Sequence, residues 1–305
     1  MDTTQFTHIS LCAGYGGIDL GLRRVLPDLR TIAYSEIEEY ACGLLAARME
    51  SGHLDPAPIW SDLKTFPFRE FYGCVDILSG GYPCQPFSAA GKRRGTDDPR
   101  HLWPYIADGI RLCQPRICFF ENVEGHISLG LRDVLGDLEH LGYAATWGIF
   151  SAAEVSAPHQ RKRIFILAHR CGTGLEGYLR HVHGAGWESA GQAGSIGTGD
   201  LPRVADAAGN DTECPAGAGP GSHEAGRAGT SGQFAGSDGD LWPARPGEQQ
   251  YGWEPARVVE SSMGRGTHGI THRVDRLRLL GNGVVPATAA LAFRTLLTQL
   301  DHDLR

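Results

Sequence analysis

Between residue 8 and about residue 169, short apolar runs alternate with longer stretches whose apolar positions recur at helical spacing. The runs 8–13, 31–35, 75–79, 117–120, 144–150 and 164–168 have strand length, and the stretches 17–26, 38–50, 102–113 and 128–141 read as amphipathic helices. Strands that alternate with helices of 10–15 residues predict βαβ units and a mostly parallel sheet. Runs such as "DILSGG" and "ICFFENV" are apolar without alternation, as expected of strands covered on both faces. The fold class that follows is α/β, a Rossmann-like and mostly parallel sheet.

The pattern changes near residue 171. Residues 171–272 hold 23 of the 42 glycines and only 11 Leu, Ile, Val or Phe. The stretch 208–240 cannot bury enough apolar surface to offset its chain entropy, which predicts loop. Aromatic anchors return at Trp242, Tyr251 and Trp253, and a last helix is expected over 287–300 with Pro286 opening it. The predicted organisation is a catalytic and cofactor-binding domain over 1–170, a Gly-rich and partly irregular region over 171–272, and a C-terminal segment over 273–305 that returns to the first domain.

The chain has 305 residues, enough for one large core and a smaller lobe. No apolar run approaches the ~18 residues of a membrane helix, and the N-terminus lacks an apolar signal stretch, so no membrane partner is expected and the location reads as cytoplasmic. Eight cysteines without a C-x-x-C pair read as reduced thiols. Cys171, His181, His183 and Cys214 match no zinc spacing, so no metal is assigned. A net charge of −7 disfavours a broad phosphate-binding field, and residues 171–272 contain no lysine. Any nucleic acid would be met by local arginines.

"ISLCAGYGGIDLGL" (9–22) is a strand, a glycine turn and the start of a helix. Gly14, Gly16 and Gly17 allow close approach of a ligand, and Glu36 at the second strand end stands where a carboxylate grips ribose hydroxyls. These features predict a nucleoside-containing cofactor. The turn by itself fits S-adenosylmethionine or a dinucleotide, although G-x-G-G lacks the third dinucleotide glycine.

Chemistry collects at other strand ends. In "GGYPCQPFSAAGKRRG" (80–95), Pro83 and Pro86 stiffen the loop around Cys84, a thiol with Lys92, Arg93 and Arg94 close in sequence. Glu121 follows four apolar residues, so burial should raise its pKa and let it donate a proton near neutrality. Arg161 and Arg163 precede an apolar strand in alternation and are expected to reach one side of it. Cys42, Cys74, Cys113 and Cys118, inside helix or strand runs, read as buried structural thiols.

The order of these segments resembles the DNA cytosine-5 methyltransferase family over 1–170 and about 273–305. "CAGYGG" is similar to the cofactor glycine motif, "YSEIEEYA" to the ribose acid, "SDLKTF" to the adenine-contacting Asp, and "GGYPCQPFS" to the Pro-Cys-Gln nucleophile motif. "ENV", "QRKR" and "LLGNGVVP" are similar to the Glu-Asn-Val, arginine and closing Gly-Asn motifs. The resemblance implies a class I methyltransferase fold with a target-recognition domain at 171–272. It implies S-adenosylmethionine held by Ala13, Gly14, Tyr15, Gly16, Gly17, Glu36, Ile37, Asp62, Leu63, Pro83, Asn282 and Gly283. It also implies that Cys84 attacks C6 of a flipped cytosine, that Glu121 bonds the ring at N3 and the exocyclic amine, and that Arg161 and Arg163 contact O2 and steady the site. Gln85, Ser88, Lys92, Arg93, Arg94, Arg245 and Arg257 would contact double-stranded DNA, with Arg203, Arg227 and Arg265 as further candidates. A monomer is expected, with a cognate restriction endonuclease as possible companion. Two positions depart from the pattern: Cys12 replaces a Phe that stacks on adenine, and His159 replaces a Gln. The alternatives are the same chemistry on tRNA, or a non-catalytic cofactor-binding regulator.

Overall fold

The computed structural model describes residues 5–83, 102–184 and 273–304, all within one compact unit. Among these residues seven strands form one sheet: β1 (Phe6–Leu11), β2 (Leu29–Ser35), β3 (Ile59–Trp60), β4 (Ile77–Gly80), β5 (Ile117–Val123), β6 (Tyr143–Phe150) and β7 (Arg163–Arg170). Their order is β3-β2-β1-β4-β5-β7-β6. Strands β1 to β5 pair in parallel, and β7 runs antiparallel to both neighbours. The order reverses at β1 and β4, and an open α/β sheet binds its ligand at the carboxyl ends beside such a reversal. The expected mostly parallel α/β sheet is therefore found.

Alternation along the central strands builds two cores. On β5, Ile117 and Phe119 face one layer, while Cys118 and Phe120 face the other. On β7, Phe165 and Leu167 oppose Ile164, Ile166 and Ala168 in the same way. Both sides of each strand are covered, which accounts for sequences that look uniformly apolar. One layer contains α1 (Gly17–Val25), α6 (Glu176–Gly184) and α8 (Pro286–Leu304); the other contains α3 (Trp103–Cys113) and α5 (Leu131–His140). Phe119 stacks on Phe165 and meets Phe293 of α8 edge-on, so the C-terminal helix completes the core laid down by the first half of the chain. By length and composition the stretch Arg278–Asp303 would pass for a membrane span, yet Ala289, Ala292, Phe293, Leu296 and Leu297 are fully enclosed by protein.

Several details differ from the sequence expectation. Helix α2 (Glu39–Glu50) starts as expected, but the single helix expected over 128–141 is split into α4 (His126–Leu129) and α5 at Gly130. Helix α6 lies beyond residue 170; Tyr178, Leu179 and Val182 carry its buried face, with Leu175 buried just before it. Helix α7 (Arg273–Asn282) and the two-residue β3 were also not anticipated. Of the four cysteines expected to be buried, Cys113 and Cys118 are, whereas Cys74 is exposed and Cys42 half-buried. Cys74 follows a turn instead of sitting in a strand, and α2 buries only Ala41 and Leu45.

Candidate active site

A cavity of about 730 Å³ opens at the carboxyl ends of β1, β2, β4 and β5, closed on one side by residues 278–284. Its first wall is the turn after β1. Cys12, Gly14 and Gly16 all have positive φ (48°, 56° and 79°), the region that favours glycine, and the turn delivers the N-terminus of α1 to the cavity. Gly17 has no room for a side chain: a Cβ there would lie 2.3 Å from the Val284 carbonyl oxygen. Gly16 packs on Leu54 and does not line the cavity; the other eleven residues expected around the cofactor all do.

Glu36 continues the wall from the end of β2. It is buried, and its carboxylate accepts from the backbone N–H of Gly14 at 2.7 Å and of Glu38 at 2.8 Å. The acid thereby fixes the glycine turn as well as facing the cavity. Asp62 caps the turn at 63–65 by accepting from the Lys64 N–H at 3.0 Å. Cys12 lines the same space, and burial together with the Glu36 charge pushes its thiol up to about 12, so it is not a nucleophile at neutral pH.

The closing segment is tied down from three directions. The Tyr15 hydroxyl donates to the Val284 carbonyl, and Arg161 Nη2 donates to the carbonyls of Gly281 (2.7 Å) and Gly283. Across the mouth, Arg278 of α7 pairs with Glu38 at 2.6 Å. Sequence reading missed Glu38 and Arg278; they are 240 positions apart, and no local pattern links them.

At the other end of the cavity lies Glu121, 6% exposed at the end of β5. Burial raises its carboxyl to about 7, against the opposing pull of Arg163 and Arg161. Arg163 Nε stands 2.9 Å from Glu121 Oε1, an ion-pair distance, yet no donor among the described residues is aligned to hydrogen-bond that buried oxygen. The two arginines therefore part company. Arg161, at φ 36°, lies before β7 and turns to the closing segment, whereas Arg163 opens β7 and faces Glu121.

The chain that leads into the Cys84 loop passes beside this acid. A Cβ on Gly81 would lie 3.2 Å from Glu121 Oε2, and the next residue's carbonyl, that of Tyr82, accepts from Asn122 Nδ2 at 3.1 Å. Pro83 lines the cavity with Glu121 and Asn122. Cys84, Gln85, Ser88, Lys92, Arg93, Arg94, Arg245 and Arg257 lie outside the described residues. Among the described residues no group of three or more His, Cys, Asp or Glu is arranged to hold a metal. His181 is committed to Asp28 (3.6 Å) and the Gly177 carbonyl (3.0 Å).

One cavity of an open α/β sheet thus brings together a glycine turn, a helix N-terminus and two strand-end carboxyls, Glu36 and Glu121. Residues 6–194 match the family profile described as C-5 cytosine-specific DNA methylase, and the chain belongs to that family. It is 34% identical over 171 residues to the Type II methyltransferase M.NgoMIV of Neisseria gonorrhoeae, covering 54% of this chain and 52% of that protein. It is 33% identical over 165 residues to the Type II methyltransferase M.NaeI of Lentzea aerocolonigenes, covering 52% and 39%. The chain thus spans about half the length of the curated relatives it matches. Among solved structures, a DNMT2 mutant of Spodoptera frugiperda gives a TM-score of 0.47 at 20% identity, over 55% of this chain and 50% of that one.

Proposed function

We propose that the chain is a DNA cytosine-5 methyltransferase of the restriction-modification type, acting on a flipped cytosine within a short sequence. The observation that carries this reading is the buried Glu121, ion-paired with Arg163 and set beside the Pro83 entry to the Cys84 loop in the same cavity as the glycine turn. The residues present fit S-adenosylmethionine: Gly17 leaves no side chain in the way, α1 points its N-terminus at the space, and Glu36 and Asp62 offer carboxylates. When bound there, it supplies an electrophilic methyl group.

In this reading the Cys84 thiolate forms a bond to C6 of cytosine, which places carbanion character on C5. Protonated Glu121 donates to N3 and its other oxygen accepts from the exocyclic amine, stabilising the charge that develops in the ring. Arg163 holds Glu121 and reaches for O2, while Arg161 couples this pair to the closing segment. After methyl transfer to C5, loss of the C5 proton expels the Cys84 sulfur and restores the aromatic ring. Residues 171–272 act as the target-recognition region, and Gln85, Ser88, Lys92, Arg93, Arg94, Arg245 and Arg257 contact the duplex. Base extrusion is required because C5 and C6 are inaccessible within the stack.

Expression in a methylation-free host, followed by bisulfite sequencing, tests the reading. Host DNA should carry 5-methylcytosine at one short sequence, and Cys84→Ser should abolish it. Unmethylated DNA alongside labelled tRNA from the same cells would overturn the DNA assignment.

A further inference from the structure

Tyr82 is the last residue before the Pro83–Cys84 pair, and its side chain is 3% exposed. Its ring lies between Trp103, Phe120 and His126, with centroids 5.5, 5.9 and 5.6 Å away. Its hydroxyl shares a hydrogen bond of 2.9 Å with His126 Nε2. His126 is 1% exposed and opens α4, five residues after Glu121. Gly130 makes room for it, since a Cβ there would lie 3.2 Å from the imidazole Cε1. The other ring nitrogen, Nδ1, is buried with no hydrogen-bond partner among the described residues.

A buried imidazole with one unsatisfied nitrogen is a poor choice for packing alone, because two apolar side chains of similar shape would avoid that desolvation cost. What the pair provides is a fixed orientation. Asn122 holds the Tyr82 carbonyl and His126 holds the Tyr82 hydroxyl, so both ends of residue 82 are tied to the segment that carries Glu121. Between Tyr82 and the Cα of Cys84 stands one proline. Planar peptide bonds and the proline ring leave only ψ of residues 82 and 83 as soft torsions over that span.

We propose that His126 is a positioning residue of the reaction, setting the base of the nucleophile loop against Glu121 through the hydroxyl of Tyr82. The proposal rests on the reading of Cys84 as nucleophile. Its test uses the full chain and a duplex amplified with 5-fluorodeoxycytidine, which traps the covalent adduct. His126→Phe should slow adduct formation and kcat by about tenfold, the worth of one well-placed hydrogen bond, with KM for S-adenosylmethionine and DNA nearly unmoved. His126→Gln, which retains a polar atom for the Tyr82 hydroxyl, should recover most of that rate. Tyr82→Phe should match His126→Phe, and the double variant should be no slower than either alone. Should His126→Phe fold poorly, Tyr82→Phe carries the test by itself. Unchanged trapping in Tyr82→Phe, additive losses in the double variant, or a loss confined to KM would overturn the proposal. Failure of the wild-type chain to trap would instead overturn the nucleophile reading.

Discussion

Glu121 combines opposing demands within one carboxyl group. Burial at the end of β5 disfavours its charge, Arg163 and Arg161 favour it, and the balance leaves the group titrating at about 7. A carboxyl so placed is protonated below that pH and donates a hydrogen bond there, which is the form the proposed ring contact requires. The kcat/KM of the free enzyme should therefore decline as pH rises through about 7. Glu121→Gln cannot titrate, so that decline should vanish while the rate drops by about a hundredfold, because an amide N–H is a far weaker acid than the carboxyl O–H it replaces at the developing charge. A variant that retains the same pH limb would assign it to another group. Sequence alone anticipated the raised pKa of Glu121 from its four apolar predecessors. It did not reveal which arginine faces the acid, because Arg161 and Arg163 look equivalent in "QRKR" until the positive φ of Arg161 sends them apart.

At the level of elements, the glycine-turn side of the cavity is a junction between segments far apart in the sequence, residues 12–17 and 278–284. The glycine turn that starts α1 packs against the turn between α7 and α8, with Tyr15, Arg161 and the Arg278–Glu38 pair as ties. The backbone carbonyl of Val284 has little freedom to retreat from a Cβ on Gly17. Gly17→Ala should thus weaken S-adenosylhomocysteine binding by about tenfold in calorimetry, an overpacking cost expressed as affinity. Gly136→Ala in α5, where nothing lies within 4 Å of the added carbon, should bind normally and unfold at the same or a slightly higher temperature. Binding that is equal in both variants would remove the junction from the cofactor site. The glycine motif was legible from local sequence, but its steric partner was not, since Gly17 and Val284 are brought together only by α8 packing on the sheet.

Across the whole molecule, protonation and stability are linked through buried groups of opposite sign. Burial lowers the pKa of His8, His126 and His169, so these residues stay neutral in the fold and take up protons on unfolding below about 6.5. Their contribution to stability is present above the unfolded value and is lost as pH falls. Glu121 behaves inversely: its contribution is full below its unfolded value and is lost as pH rises through about 7. Unfolding at pH 6 should therefore combine proton uptake by the histidines with release from Glu121, read from the dependence of calorimetric enthalpy on buffer ionisation. Glu121→Gln removes the release and should shift the net count toward uptake. No shift would mean that Glu121 titrates alike in the folded and unfolded chain.

Local patterning along the chain was enough for the alternation of strands and helices, the doubly covered sheet, the glycine turn, and the placing of Glu36 and Glu121 at strand ends. Each rests on periodicity or spacing over a few residues, which backbone geometry reads directly. The tertiary structure decided the rest. Helix α6 forms although Gly174 and Gly177 weaken its local signal, because its apolar face is completed by Phe6 against Tyr178. Gly130 splits α4 from α5, and its missing side chain makes the space that His126 occupies. The pairing of Tyr82 with His126, of Arg163 with Glu121 and of Arg278 with Glu38 spans 44, 42 and 240 positions. Such contacts depend on how whole layers pack and on which polar groups are shut off from water together, and neither is written in any short stretch of the chain.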